Sequence, residues 1–198
     1  MLIDTGLYLS DVLPTSYHSV CDTGVFEGDS VAIWGLGPIG LMACVWAFKK
    51  GAKRVVGIDN NWRTEFAKQR IPGLETINYE ELKKQSIPQK IHELIPGGVD
   101  ACIEASGGEY AKTWTHKIEM LSGIEQDTSE MINECIYSTR KFGRVGIIGD
   151  YTGCKMLRQL WSVDSDSSRY RHQSLQRWCT HGAWHQISGM WAGARTEM

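Results

Sequence analysis

Residues 30–63 read SVAIWGLGPIGLMACVWAFKKGAKRVVGIDNNWR, and the order of features within them decides the fold. A short run rich in β-branched residues, Ser30 to Trp34, leads straight into Gly35-Leu36-Gly37-Pro38-Ile39-Gly40, a G-x-G-x-x-G pattern at the opening of a helical stretch. Each glycine has a separate task in a dinucleotide site. Gly35 permits a tight turn, Gly37 lets the backbone approach a pyrophosphate, and Gly40 allows the helix to pack closely on the strand. Pro38 suits a first helical position, where its missing N–H has no intrahelical partner to lose, and Ile39 follows it into the helix. The N-terminus of that helix then offers unpaired N–H groups and a positive dipole end to phosphate. The helix runs from Pro38 to Lys50, with Gly51 as its stop.

Arg54 to Asp59 is a second strand, and Asp59 stands 24 residues after Gly35. A carboxylate at the end of the second strand can accept hydrogen bonds from both hydroxyls of an adenosine ribose. It would repel a 2′-phosphate, and Asn60-Asn61-Trp62 set no cation directly beside it, so the pattern favours NAD over NADP, with Arg63 the nearby cation that weighs the other way. With no Gly-Lys-Ser/Thr following, a P-loop is excluded.

Outward from this stretch the alternation of strand and helix continues. Asn61 to Arg70 is a helix capped by Asn60 or Asn61, and Thr76 to Tyr79 a weak third strand. Tyr79 to Leu94 is helical, broken or kinked at Pro88. Val99 to Ala105 is a fourth strand, and Arg144 to Asp150 a fifth. Between the last two, Tyr110 to Lys141 is mostly helical, with Asp127-Thr128 starting a helix that Phe142-Gly143 ends. Parallel strands joined by crossover helices are the expected architecture: an α/β, doubly wound, Rossmann-type sheet over residues 1–153.

Composition bounds the function. The 198 residues are 42% hydrophobic and 22% charged with a net charge of −2, which fits a soluble domain and provides no basic surface for nucleic acid or an anionic membrane. The N-terminal MLIDTGLYLSDVLPTSYHSV lacks the basic and apolar regions of a secretory signal, and the longest apolar stretch is too short for a bilayer span. Six cysteines without a C-x-x-C pair indicate a reducing compartment, and the expected location is cytoplasmic.

The last 45 residues, 154–198, differ from the rest: they hold four of the eight Trp, six basic and three acidic groups, against a net −5 for residues 1–153. They have neither strand alternation nor a sustained helical period, so an irregular tail is expected. Cys179, His181 and His185 could be drawn as a metal cluster, but no fourth ligand accompanies them. The mixture Tyr170-Arg171-His172 through Arg177-Trp178 could be called a nucleic-acid platform, and a solvated tail accounts for it more simply.

Several blocks carry a resemblance: LSDVLPTSYHSV (9–20), EGDSVAIWGLGPIGLMA (27–43), GAKRVVGIDNNWR (51–63), PGLETINY (72–79), GEYAKTW (108–114) and EQDTSEMINECIYSTRKFGRVGIIGDYTG (125–153). They resemble the cofactor-binding half of the zinc-dependent medium-chain alcohol dehydrogenases, in particular the glutathione-independent formaldehyde dehydrogenase branch. The resemblance implies hydride transfer between a small alcohol or aldehyde hydrate and NAD, in an oligomeric enzyme. It implies that Thr15 lies beside the nicotinamide, and that Ala105, Ser106 and Ile148-Gly149-Asp150 line the ribose and carboxamide. It makes Asp11 the position of the third ligand to a catalytic zinc; read without the family, Asp11 is the acidic residue ahead of a helix led by Pro14.

The family draws its first two zinc ligands from an N-terminal catalytic domain with no counterpart in this chain. The structural zinc lobe, with its four clustered cysteines, is also missing. The resemblance stops after Gly153, where a sixth strand would follow, so five of six strands and an exposed sheet edge are expected, with the tail an unrelated reading frame or a retained intron. A chain of this kind is expected to be inactive alone. The alternatives are a non-enzymatic NAD-binding or interaction module and an incomplete gene model.

Overall fold

A computed structural model describes residues 8–82, 85–106, 130–149 and 169–172. After a π-helical turn at Tyr8–Val12, α1 (Leu13–Thr23) leads to β1 (Ser30–Trp34), α2 (Pro38–Lys49), β2 (Arg54–Asp59), α3 (Asn61–Arg70) and β3 (Glu75–Asn78). A 3-10 turn at Tyr79–Glu81 precedes α4 (Ile87–Leu94), β4 (Val99–Glu104), α5 (Glu130–Ser138), β5 (Thr139–Ile147) and β6 (Arg169–His172). The strands form one sheet in the order β3-β2-β1-β4-β5-β6, every neighbouring pair parallel.

Helices cover both faces, because each central strand sends alternate side chains to opposite sides. Val31, Ile33 and Val55 join Val20 of α1, Cys44 and Ala47 of α2 and Ala67 of α3 on one face. Ala32, Trp34, Val56 and Ile58 join Ile87 and Ile91 of α4 and Met131, Ile132 and Cys135 of α5 on the other. The doubly wound parallel sheet expected from the sequence is present. Its chain reversal falls between β1 and β4, since β2 and β3 run outward from β1 on one side and β4 and β5 on the other. Loops at the carboxyl ends of the strands flanking such a switch point form a crevice suited to ligands.

Four local expectations are corrected. Pro88 does not break a helix from Tyr79 to Leu94; it lies in the first turn of α4, where a proline costs no hydrogen bond, and Ser86 and Gln89 close a reciprocal capping box ahead of it. Phe142-Gly143 does not end a helix. The helix stops at Ser138, and Thr139 already pairs with Val99; the next pairing joins Ala101 to Arg144, so residues 140–143 bulge outward, with Phe142 at φ 62° and 79% exposed.

The remaining two corrections concern the sheet edge. To the five expected strands the structure adds β6, drawn from the tail and paired with residues 144–147 of β5. The run Arg-Tyr-Arg-His has no apolar alternation because parallel pairing to an edge is satisfied by backbone groups, whatever the side chains. The edge of β5 expected to be bare is therefore covered over that stretch. Residues 107–129, which hold most of the helical region expected between β4 and β5, lie outside the described residues, as does the possible metal cluster at Cys179, His181 and His185.

Candidate functional site

The glycine loop leaves β1 at the switch point. Gly35 adopts φ +87°, and its N–H donates to the carbonyl of Ile58 on β2, 2.9 Å. A Cβ on Gly35 would meet the backbone of Ala105 at 2.9 Å, so the loop after β4 sits directly against the turn. A Cβ on Gly40 would fall 1.8 Å from the Gly35 carbonyl oxygen, which fixes how closely the helix opening folds back on the turn. Gly37 differs from both: it is the extended N-cap of α2, and its missing Cβ would meet nothing within 4 Å. The space over Gly37 is open, and the first turn of α2, with Pro38 leading and Ile39 half-buried, holds no acidic residue. An unobstructed helix N-terminus with no local negative charge fits a diphosphate.

At the end of β2, Asp59 is fully buried. Its Oδ2 accepts from the Leu36 N–H of the glycine loop, 2.6 Å, and its Oδ1 from the Asn60 N–H, 2.6 Å. The carboxylate thus ties the loop to the second strand. Two ionised oxygens offer about four acceptor sites, so capacity remains for ribose hydroxyls. Asn60 caps α3, its side chain accepting from the Arg63 N–H.

Two residues beside Asp59 carry no weight in the glycine pattern. Arg63 brings Nη1 to 3.5 Å from Asp59 Oδ2 and lies over the Trp62 ring at 5.2 Å. Tyr79 stands at the end of β3; burial, then the charges of Asp59 and Glu80, push its phenol up to about 12, against the opposing charge of Arg63. Arg63 is the cation that the sequence already set against the preference for NAD, and the structure brings it to the carboxylate.

Other expected residues gather at the same edge of the sheet. Ala105 continues the β1 ladder, donating to the Trp34 carbonyl at 2.8 Å, and Ile148 donates to the Glu104 carbonyl at 2.9 Å, with Gly149 next in line. Ser106 donates its N–H to Glu104 at 2.7 Å. Asp150 lies outside the described residues. Asp11 and Thr15 are joined to one another, the Thr15 hydroxyl donating to Asp11 Oδ1 at 3.0 Å.

A catalytic zinc needs three protein ligands and an open position. Asp11 is exposed and already accepts from Thr15, and among the described residues no three His, Cys, Asp or Glu side chains come together as a metal site. These residues do not fit a catalytic zinc.

No family profile matches the chain. A zinc-type alcohol dehydrogenase-like protein of Schizosaccharomyces pombe is 46% identical over 149 residues, covering 75% of this chain and 34% of the relative. The chain is a homologue of zinc-type alcohol dehydrogenase-like proteins. The glutathione-independent formaldehyde dehydrogenase of Pseudomonas aeruginosa is 34% identical over 145 residues, covering 72% of this dehydrogenase homologue and 34% of the enzyme. Among solved structures, a zinc-dependent alcohol dehydrogenase from Streptococcus pneumonia superposes with a TM-score of 0.65 at 22% identity, covering 91% of this chain and 46% of that one. The chain spans about a third of the length of these two curated relatives.

Proposed function

We propose that this chain is the NAD(H)-binding part of a zinc-dependent alcohol or formaldehyde dehydrogenase, and that by itself it binds the dinucleotide without turning over substrate. The observation that carries this reading is the pairing of the open N-cap at Gly37 with the buried carboxylate of Asp59, joined through the Leu36 N–H at 2.6 Å. In the complete enzyme, bound NAD supplies the hydride acceptor for a small alcohol or aldehyde hydrate. The residues of this chain bind and orient: the α2 N-terminus at Gly37, Pro38, Ile39 and Gly40 receives the diphosphate, and Asp59 with Asn60 receives the adenosine ribose. Ala105, Gly149, Asp150 and Thr15 flank the nicotinamide half. NAD is preferred to NADP because a carboxylate opposes a 2′-phosphate. A reducing cytoplasm is the proposed setting, in keeping with the free thiols of Cys21, Cys44, Cys102 and Cys135. No helix among the described residues is long and apolar enough to cross a membrane.

The alternative reading is a dinucleotide-binding module without catalysis. Both readings require the same cofactor site. Asp59→Asn tests it: NADH should raise the melting temperature of the wild-type chain, and the substitution should weaken NADH affinity roughly tenfold, the scale of one charged hydrogen bond. Equal protection of both proteins by NADH would defeat the assignment.

A further inference from the structure

Glu104 ends β4 wholly buried, and the proposed cofactor contacts make no use of its side chain. Burying a carboxylate is costly unless donors meet it. Here one residue supplies two of them: Glu104 Oε1 accepts from the Ser106 N–H at 2.7 Å and from the Ser106 hydroxyl. A side chain bonded to the backbone two residues ahead fixes a turn, as aspartates do at loop starts. This turn lies against the glycine loop. The Ala105 N–H donates to the Trp34 carbonyl at 2.8 Å, and a Cβ on Gly35 would meet the Ala105 carbonyl oxygen at 2.9 Å and Ser106 Cα at 3.0 Å. The Glu104 carbonyl also accepts from the Ile148 N–H after β5, at 2.9 Å. Through side chain and backbone, Glu104 therefore holds the two loops that border the crevice on the side away from Asp59.

We propose that Glu104 is a positioning residue of the dinucleotide site: by holding Ser106 it sets the height of the β4 loop over the glycine turn, and so shapes the half of the crevice that receives the nicotinamide riboside. This rests on the dinucleotide reading above. The half concerned follows from strand order. β2 and β4 flank β1 on opposite sides. With the adenosine ribose at Asp59 on the β2 side and the diphosphate at the glycine loop of β1, a ligand crossing the switch point lays its other half over β4 and β5. Glu104 is buried beneath that surface and acts through Ala105 and Ser106 rather than by contact. The direction of the effect follows from the close approach at Gly35. The Ala105 carbonyl already stands where a methyl group would collide, so a loop released from Glu104 has room to lift away from the turn and none to settle onto it. Loss of the tether thus loosens the nicotinamide half and leaves the adenosine half as it was.

Calorimetric titration of NADH, and of ADP-ribose, which lacks the nicotinamide, into the wild-type chain, Glu104→Leu, Glu104→Gln and Ser106→Ala tests the proposal. Leucine keeps the bulk and removes the acceptors. Its NADH affinity should fall about tenfold, the scale of hydrogen bonds to a charged group, while its ADP-ribose affinity stays within about twofold. Glu104→Gln keeps an acceptor oxygen and should return most of the NADH affinity. Ser106→Ala should weaken NADH by itself and add nothing in the Glu104→Leu background, the non-additivity of a coupled pair. Circular dichroism reports whether each variant is folded; should Glu104→Leu not fold, Ser106→Ala carries the test, with a loss larger for NADH than for ADP-ribose. A parallel loss of both ligands, or an unchanged NADH affinity in a folded Glu104→Leu, would overturn the positioning role alone. Failure of the wild-type chain to bind either ligand would overturn this proposal together with the dinucleotide reading.

Discussion

Two glycines three residues apart face opposite demands. A methyl group on Gly40 collides with the Gly35 carbonyl oxygen at 1.8 Å, a backbone atom that no rotamer change can move. Gly40→Ala should therefore destabilise the chain by roughly 3 kcal/mol, the upper range for overpacking in a tight site. A methyl group on Gly37 enters open space, and its φ of −70° and ψ of −176° suit any residue. Gly37→Ala should change stability by no more than about 1 kcal/mol, the cost of a poorer N-cap. Denaturant unfolding of the two variants separates them, and equal losses would mean that the loop geometry is misread. The same contrast shows what the sequence made legible. The spacing of Gly35, Gly37, Gly40 and Asp59 announced a dinucleotide site, because each residue answers a local geometric need. The full burial of Asp59 and its contact with Arg63 were not legible, since both depend on where side chains settle after strand and helix have packed.

Among the elements, the joints between strands carry the titratable load. Asp100 on β4 accepts from the Ser30 N–H at 2.8 Å and hydroxyl at 2.7 Å at the start of β1, and from Arg140 of β5 at 2.5 Å. Burial raises its carboxyl pKa, but these donors outweigh burial and hold it below the ordinary value. Arg54, hydrogen-bonded to Glu75 across β2 and β3, likewise lowers the Glu75 pKa. A depressed carboxylate stabilises the fold above its unfolded pKa, near 4, and loses that contribution as pH falls through the folded value. Asp100→Asn should cost about 1 to 2 kcal/mol at pH 7, on the scale of hydrogen bonds to a charged group. Chemical unfolding across the acid range should show that difference shrinking steadily below about pH 4. A difference that stays constant down to pH 2 would exclude Asp100 as the source.

Element types followed from period and composition wherever apolar residues were dense, as in Ser30–Trp34, Arg54–Asp59 and Val99–Glu104. They failed where pairing or capping overrode pattern. Pro88 reads as a breaker until Ser86 and Gln89 are recognised as a cap two residues before and one after it. Thr139, reached before any strand-like run, is drawn into β5 by its place opposite Val99. The Arg169–His172 strand has no pattern to detect, since its partner supplies the reason it is extended.

At the scale of the whole molecule, the described residues make one parallel sheet, and the chain is homologous to about a third of the length of its curated relatives. The glycine loop, Asp59 and the loops after β4 and β5 converge at one edge of that sheet, while Asp11 has no companions to hold a metal among the described residues. Dinucleotide binding is the function proposed for this edge, resting on the open N-cap at Gly37 and the carboxylate of Asp59. Titration of NADH into the wild-type chain and into Gly37→Ala, followed by calorimetry, tests this most directly. The account predicts one NADH per chain and an affinity at least roughly tenfold weaker in a variant that melts like the wild type. Equal affinity in the two proteins, or no heat of binding to the wild-type chain at millimolar NADH, would contradict it.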